Sequence, residues 1–414
     1  MTALEQMGIN AKAASRRLAS AGALKNTSLL AMADAIEKNE NEILSANGLD
    51  LAAAKESGMS ESLLDRLALN HARIQGMARG IRDVAAQSDP IGTVVGGGVR
   101  PNGLKIEKVR VPLGVIGIIY EARPNVTADA AALCLKAGNA VILRGGREAI
   151  HSNRAVAQTM RTALEQAGLP KDSIQLVQDT ERSSAVEMMQ LTDYIDVLIP
   201  RGGRGLIQSV VQNSRVPVIE TGSGNCHVYV DDTADIEMAA NIIYNAKTSR
   251  PSVCNAIETV LVHRDIAEKA LPAIKARLDE KQVELRGCEK TRAILGGSVV
   301  PAVEEDWATE YLDYILAVKV VDDIDDAIGH IARYSSGHSE AIITRSYENA
   351  QKFTAEVDSA AVYVNASTRF TDGGEFGLGA EIGISTQKLH ARGPMGVNEL
   401  TSTKFIISGC GQIR

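Results

Sequence analysis

The stretch Val111-Pro-Leu-Gly-Val-Ile-Gly-Ile-Ile-Tyr-Glu-Ala-Arg-Pro-Asn125 decides the fold class of this chain. Its apolar run from Val111 to Tyr120 is the longest in the sequence and falls far short of the ~20 residues that span a bilayer. A short apolar run that ends in turn residues is typical of a strand buried on both faces. We therefore predict a buried strand over 114–119, after which the chain turns away from the sheet at Pro124.

Beyond this stretch, apolar runs alternate with helical patterns. Further strands are predicted over 140–144, 174–177, 195–199, 216–219 and 227–230, with helices between them such as 152–167 and 235–246. A second series follows, with strands over 257–262, 316–321, 340–344 and 360–364 and a helix over 266–281. Alternation of this kind indicates parallel, doubly wound α/β sheets.

The segment before the stretch has a different character. The first 89 residues contain no proline and are rich in helix-forming residues. Apolar spacing predicts helices over 4–18, 29–44 and 63–84, with breaks near Gly22, Gly48 and Gly58.

Two further segments read as exposed strands. Residues 104–112 alternate strictly between polar and apolar, and the tail over 401–408 resembles a strand with no partner nearby in sequence. An unpaired strand can pair with another chain, so one prediction is a small β flap, over 97–113 and 398–414, that joins subunits. The alternative is a hairpin that packs on its own domain.

Composition excludes several classes of function. The formal net charge of −7 provides no basic face for nucleic acid. Five scattered cysteines without a C-x-x-C pair argue against disulfides and zinc, and they fit a reducing cytoplasm. The start of the chain lacks a secretory pattern, and the histidines are not at metal-ligand spacing, so we predict neither export nor a metal site.

Cys254 is the candidate nucleophile. It lies in Arg250-Pro-Ser-Val-Cys-Asn-Ala-Ile-Glu258, among small and polar residues at the entry to the second α/β series. A thiolate there could hold an acyl group covalently. The alternative is a small buried residue, which is the interpretation of Cys134 at its apolar helix position.

Two Arg-Gly-Gly loops follow predicted strands, one at Arg144-Gly145-Gly-Arg147 and one at Arg201-Gly202-Gly203-Arg204. Loops at the carboxyl ends of parallel strands, with guanidinium groups beside them, suit a phosphorylated dinucleotide. Tight turns with surface arginines are the alternative. Neither a G-x-G-x-x-G fingerprint after a first strand nor a Walker sequence occurs.

Two polar residues follow apolar strands. The amide of Asn125 could donate a hydrogen bond to a developing oxyanion, or the residue could be a helix N-cap. Glu220, in Val218-Ile-Glu-Thr-Gly222, could be a general base, a substrate-orienting group or a turn residue.

Taken together, these segments resemble the aldehyde dehydrogenase superfamily over essentially the whole chain, and within it the γ-glutamyl phosphate reductase family. The longest matching strings run over 321–340, 363–374 and 385–396. The resemblance implies two Rossmann-like α/β domains plus a small β oligomerisation flap. It divides the chain into an NADP-binding domain (1–96 and 114–247), a catalytic domain (248–397) and the flap.

The resemblance also implies a reaction and roles for the residues. The reaction is NADPH-dependent reduction of L-glutamyl 5-phosphate to L-glutamate 5-semialdehyde through a Cys254 thioester, a step of proline synthesis, with Asn125 as oxyanion donor. The implied cofactor and substrate residues are the following: Arg144, Gly145, Arg147, Gly202, Gly203 and Glu310 for NADP(H), and Glu220, Arg250 and Arg369 for glutamyl phosphate. Arg144 and Arg147 would favour NADP over NAD.

Other functions remain open from the sequence. A hydrolytic aldehyde dehydrogenase would use Glu220 to activate water, whereas a cysteine hydrolase would need a partner histidine that does not stand out. A scaffold that binds the preceding kinase is a further alternative. The expected partners are a second copy of the chain and, transiently, glutamate 5-kinase, which would protect the labile acyl phosphate.

Overall fold

The computed structural model describes residues 1–414, except for the side chain of Ser62. The helices are α1 Ala3–Leu18, α2 Leu24–Lys38, α3 Glu40–Glu56, α4 Glu61–Leu67, α5 His71–Ala86, α6 Pro124–Lys136, α7 Ile150–Gln166, α8 Arg182–Gln190, α9 Arg204–Asn213, α10 Ile236–Thr248, α11 Arg264–Asp279, α12 Glu289–Leu295, α13 Ile324–Tyr334 and α14 Tyr347–Glu356. In the part of the chain so described, no helix is long and apolar enough to cross a membrane.

The strands alternate with these helices, which confirms the α/β class. They are β1 Val94–Val99, β2 Lys105–Pro112, β3 Val115–Tyr120, β4 Ala140–Arg144, β5 Ile174–Leu176, β6 Val197–Arg201, β7 Cys226–Val230, β8 Ile257–His263, β9 Glu284–Gly287, β10 Val300–Pro301, β11 Ile315–Val321, β12 Ser339–Ile343, β13 Ala361–Val364, β14 Ile384–Ser385, β15 Gly393–Pro394 and β16 Thr401–Ser408.

The first compact unit comprises residues Met1–Thr221, Gly377–Gly383 and Met395–Arg414. Its centre is a four-stranded parallel sheet in the order β5-β4-β3-β6. Every residue of β3 is buried, as its apolar sequence predicts. Helices α6 and α7 lie against the sheet, and α2 and α5 pack onto those helices. Because the strands are parallel, their carboxyl ends meet at one edge, where β4 ends at Arg144 and β6 at Arg201.

The second compact unit comprises residues Gly222–Phe376 and Ile384–Pro394. It contains a seven-stranded sheet in the order β10-β9-β11-β8-β7-β12-β13, and its strand pairs are parallel. Central strands β7 and β8 are buried along their whole length. Aliphatic side chains of β7, β8, α10 and α11 form one continuous hydrophobic core.

The tail strand has a partner in its own chain. β16 pairs antiparallel with β2 from Thr401 opposite Pro112 to Ser408 opposite Lys105, and β1 pairs on the other side of β2. The tail has no partner nearby in sequence, as expected, and it pairs with the segment with which the predicted flap grouped it, almost 300 residues away along the chain. That this sheet joins subunits stays a prediction.

The division between the units also differs from the predicted boundary after residue 247. It falls between Thr221 and Gly222, because β7 pairs with β8 and β12 in the second sheet. Strand β7 and helix α10 therefore belong to unit 2. The three-stranded sheet of β1, β2 and β16 belongs to unit 1.

Four local predictions were wrong. No strand forms over 216–219 among the described residues; one bridge joins Leu198 to Val218, and Pro217 has no N–H with which to extend a ladder. The helix predicted over 29–44 is divided between α2 and α3 at Asn39, and the helix predicted over 63–84 is divided between α4 and α5. Gly48 lies inside α3, whereas Gly22 and Gly58 do break the chain, with φ of +53° and +75°.

Candidate active site

Cys254 lies in the turn between α10 and β8, three residues before the strand begins, and its residue is half-buried. The cysteines differ in their surroundings. Cys134 and Cys226 are buried, and burial raises the pKa of both thiols, which disfavours their thiolates. Cys288 is half-buried and Cys410 is exposed. Exposure alone does not distinguish Cys254 from Cys288 and Cys410; its position in the turn before the buried strand β8 does.

The backbone of Cys254 is fixed on one side by the segment that enters β7. The Cys226 thiol donates to the carbonyl oxygen of Cys254 at 3.2 Å. A Cβ atom at Gly224 would overlap that carbonyl group, so only glycine fits there. The two segments therefore approach as closely as two backbones can, and they hold the nucleophile peptide in one position.

On its other side, Asn255 ties the turn to the segment over 368–371. The Asn255 amide donates to the carbonyl oxygens of Arg369 at 3.2 Å and Thr371 at 2.9 Å. In return, the hydroxyl of Thr368 donates to the carbonyl oxygen of Asn255 at 2.7 Å. The polar neighbour of Cys254 thus has a structural role, which its sequence position alone did not reveal.

The two arginines that were predicted to bind substrate lie in the same unit as Cys254. Arg250 is exposed, directly after α10. The guanidinium of Arg369 donates to Asn255 Oδ1 and, at 3.0 Å, to the hydroxyl of Ser249. Burial and the charge of Arg250 lower the pKa of Arg369, whereas the charges of Asp372 and of a thiolate at Cys254 raise it. Charges of both signs therefore act on the Arg369 guanidinium, and Cys254 lies within their electrostatic range.

Glu310 also belongs to unit 2. Its Oε1 accepts the backbone N–H of Gly224 at 2.7 Å, which connects the predicted cofactor residue to the segment under Cys254. The chain near Glu310 is supported by a buried ion pair between Lys247 and Glu258 at 2.5 Å, because Glu258 also accepts the N–H of Leu312 at 3.3 Å. Sequence reasoning missed this pair, since lysine and glutamate are normally surface residues.

Asn125 lies in unit 1, in the first turn of α6. The helix begins at Pro124 with Arg123 as its N-cap, so the N-cap alternative for Asn125 was wrong. Instead the Asn125 side chain donates from Nδ2 to Asp129 Oδ2, one helical turn later, at 3.0 Å. The residue itself is exposed. Its amide is therefore both oriented and accessible.

Arg144 ends β4, where the sequence predicted a dinucleotide loop. Its Nη2 donates to the carbonyl oxygens of Thr180 at 2.7 Å and Glu181 at 3.0 Å, and burial lowers its pKa. The next residue, Gly145, has room for a hydrogen only, because a Cβ would meet the amide nitrogen of Asn153. Arg147, two residues further on, is exposed.

The second predicted loop lies at the end of β6. Gly202 and Gly203 lead directly into α9, and the carboxylate of Glu121 accepts the N–H of Gly203 at 2.9 Å. A helix N-terminus after a parallel strand is a favourable place for an anion. Glu220 is half-buried and follows Ile219, whose N–H pairs with the carbonyl of Leu198.

Unit 1 has the donors that a phosphorylated dinucleotide needs. Among the described residues, the buried atoms Arg144 Nε, Arg201 Nε and Asn153 Nδ2 have no hydrogen-bond partner. A buried donor without a partner is costly, so such atoms indicate ligand positions. All three lie at the loops that follow β4 and β6 or directly beneath them. The residues present therefore fit a bound dinucleotide.

The predicted residues thus fall into two groups. Unit 1 carries Asn125, Arg144, Gly145, Arg147, Gly202, Gly203 and Glu220, whereas unit 2 carries Cys254, Arg250, Arg369 and Glu310. A search of the described residues found no cluster of three or more histidine, cysteine or carboxylate side chains that could hold a metal ion.

The fold and the cysteine-centred site define a class of protein. The chain belongs to the aldehyde dehydrogenase family, whose profile matches residues 4–313. Members of this family use a nicotinamide dinucleotide.

Individual relatives give a narrower likeness. The chain is 61% identical to the gamma-glutamyl phosphate reductase of Clostridium novyi, over 98% of this chain and 97% of that protein. It is 60% identical to the enzyme of the same name from Moorella thermoacetica, over 99% and 98%. The crystal structure of gamma-glutamyl phosphate reductase from Thermotoga maritima is 51% identical, covers 100% of both chains and has a TM-score of 0.96. The aldehyde dehydrogenase-like fold is thereby confirmed.

Proposed function

We propose that this chain reduces L-glutamyl 5-phosphate to L-glutamate 5-semialdehyde with NADPH, releasing phosphate, in proline biosynthesis. The full-length likeness to gamma-glutamyl phosphate reductases supports the substrate. The observation that supports the chemistry is the half-buried Cys254, whose peptide is fixed by Gly224 and Cys226. A fixed thiol within electrostatic range of the Arg369 guanidinium is a suitable nucleophile for an anionic acyl phosphate.

The reaction begins at the thiolate of Cys254. It attacks the acyl carbon of glutamyl phosphate, a carbon–sulfur bond forms, and the carbon–oxygen bond to phosphate breaks. Asn125 and the Cys254 N–H donate hydrogen bonds to the oxyanion that develops at the carbonyl. When bound, NADPH would supply the hydride that reduces the thioester carbon. Collapse of the resulting thiohemiacetal anion releases the aldehyde and returns Cys254 to its thiolate form.

The remaining residues bind and orient. Arg250 and Arg369 hold the phosphate or the carboxylate of the substrate, and Glu220 orients it, since reduction requires no base to activate water. Arg144, Gly145, Gly202 and Gly203 would hold the dinucleotide, and Glu310 would hold its nicotinamide ribose. Arg147 would favour NADP over NAD, because its exposed guanidinium suits a 2′-phosphate. Unpartnered donors at Arg144 and Asn153 support dinucleotide binding at the loop after β4.

Cys254→Ala tests the covalent scheme, with Cys288→Ala as a matched control because both cysteines are half-buried residues of unit 2. We expect Cys254→Ala to lower NADPH oxidation with glutamyl phosphate at least about 1,000-fold, since the nucleophile is lost. NADPH binding, followed by fluorescence titration, should stay within about twofold in both variants. Near-normal turnover in Cys254→Ala would overturn the scheme.

The proposal includes the surroundings of the enzyme. No disulfide joins cysteines among the described residues, which suits a reducing compartment such as the cytoplasm. The exposed three-stranded sheet of β1, β2 and β16 joins copies of the chain into a homo-oligomer. A transient complex with glutamate 5-kinase would protect the acyl phosphate from water.

A further inference from the structure

Asp129 is a carboxylate that neither the sequence prediction nor the proposed reaction uses. It lies four residues after Asn125 in α6, so both side chains project from the same face of the helix. Its Oδ2 accepts the Nδ2–H of Asn125 at 3.0 Å. Both residues belong to α6 in unit 1, so the contact forms within a single helix.

The hydrogen bond fixes which end of the Asn125 amide faces which way. An ionised carboxylate only accepts hydrogen bonds, so it binds the NH₂ end of an amide and repels the carbonyl end. The NH₂ group has two N–H bonds, of which Asp129 takes one. The second N–H stays available on the exposed side of Asn125. Without Asp129, the amide could rotate by 180° and present its oxygen instead.

The environment of the Asp129 carboxylate disfavours its charged form. Burial raises the pKa of Asp129 to about 6, although the Asn125 hydrogen bond and the charge of Arg201 oppose the rise. Burial of a carboxylate costs free energy, and a neutral residue of the same size would avoid that cost. Perturbed groups of this kind cluster at functional sites, which favours a role in function over a role in packing.

We propose that Asp129 is a positioning residue, which holds the Asn125 amide with an N–H directed at the oxyanion of the reaction. This inference rests on the proposed function, in which Asn125 is the oxyanion donor. An amide oxygen turned toward an oxyanion would repel it, so the orientation of Asn125 decides whether the residue stabilises or destabilises the transition state.

A double-mutant cycle tests the proposal, with kcat and KM measured in the direction of NADPH oxidation. The variants are Asn125→Ala, Asp129→Leu, the double variant and Asp129→Asn. We expect Asp129→Leu to lower kcat about 10- to 100-fold with KM for NADPH within about twofold, because only the transition state gains from a correctly oriented donor. Asp129→Asn keeps an oxygen acceptor but also adds N–H donors, so it should lose less than Asp129→Leu and remain within about fivefold of wild type.

The cycle distinguishes the inference from the function on which it rests. If Asp129 acts through Asn125, the double variant is no slower than Asn125→Ala. Unchanged kcat in Asn125→Ala would overturn the oxyanion assignment itself. A large loss in Asn125→Ala with none in Asp129→Leu, or multiplied losses in the double variant, would overturn the positioning role.

A matched control addresses general damage to a helix. In α1, the Gln6 amide donates to Asn10 Oδ1 at 3.0 Å with the same spacing of four residues. Asn10→Leu removes that acceptor and should leave kcat unchanged. Circular dichroism and thermal unfolding of each variant check the fold. If Asp129→Leu does not fold, the more conservative Asp129→Asn keeps the test, because a loss as large as that of Asn125→Ala would contradict the expected rescue.

Discussion

At the scale of single residues, the position of the Cys254 peptide depends on the absence of a Cβ atom at Gly224. Gly224 has no side chain, and its Cα lies against the carbonyl group of Cys254. Its N–H binds Glu310, so one glycine connects the nucleophile peptide to a predicted cofactor residue. A small change at this residue should therefore displace the nucleophile peptide.

Gly224→Ala should lower kcat about 100-fold. The added methyl group would overlap the Cys254 carbonyl and force the two segments apart, and a shift of about 1 Å in a catalytic group can cost that much. Gly329→Ala in α13 is the control, because no described atom outside its own helix neighbourhood lies within 4 Å of the added carbon. Steady-state kinetics measures the effect. Full activity in Gly224→Ala would contradict the tight packing inferred here.

Single residues also mark the limit of what the sequence could predict. Cys254, Asn125 and the Arg-Gly-Gly loops were recognisable because their residue types stand next to strands or turns in a chemically suggestive order. Cys226 was not, since only the folded backbone brings it near Cys254. Asp129 lies one helical turn from Asn125, but the sequence does not show that the two side chains form a hydrogen bond. Asn255 was noted as a polar neighbour, yet its contacts with the segment over 368–371 come from more than 100 residues away.

At the scale of secondary-structure elements, strands with continuous apolar sequences were predicted best. Strand β4 was predicted over its full range, and β8, β11, β12 and β13 were predicted to within a residue or so at each end. Prediction failed where local sequence and pairing disagree. Residues 216–219 have a strand-like composition, yet Pro217 limits them to one bridge. Short strands β9 and β10 lack any pattern long enough to stand out.

The strand β16 is the predicted contact surface between copies of the chain. It is an edge strand of its sheet, and its apolar side chains are solvent-exposed in the single chain, with Phe405 at 64% and Ile407 at 60%. Exposed apolar residues on an edge strand are typical of a contact surface. We therefore expect wild-type protein to sediment as an oligomer.

Replacing Phe405 and Ile407 together by lysine should shift the protein toward monomers, because the charges cannot be buried in a contact. Ser402→Lys adds a charge to the opposite face of the same strand and should have a smaller effect. Sedimentation velocity at several protein concentrations gives the oligomeric state. A monomeric wild type, or an unchanged oligomer in the double variant, would contradict the proposed contact.

At the scale of the whole molecule, the sequence predicted two α/β units but placed their division too late. Strand β7 follows the first series along the chain, and only its pairing with β8 and β12 assigns it to the second sheet. Pairing partners are set by tertiary structure, so a pattern read along the chain cannot decide which sheet a buried strand joins. Segments Gly377–Gly383 and Met395–Arg414 return to unit 1 for the same reason.

In the proposed reaction of the whole enzyme, a Cys254 thioester is exchanged with phosphate and not with water. Water and phosphate lead to different products, since hydrolysis gives a free acid and phosphorolysis gives an acyl phosphate. The reverse reaction distinguishes hydrolysis from phosphorolysis. In that direction the aldehyde forms the thioester, and either water or phosphate must then cleave it. Glu220 would be the base that activates water in the hydrolytic case.

The most direct measurement is the rate of NADP⁺ reduction with glutamate 5-semialdehyde, with and without inorganic phosphate. We expect steady-state NADP⁺ reduction to depend strictly on phosphate, since phosphate must cleave each thioester before Cys254 can react again. Equal rates without phosphate would contradict it, and would identify a hydrolytic aldehyde dehydrogenase instead.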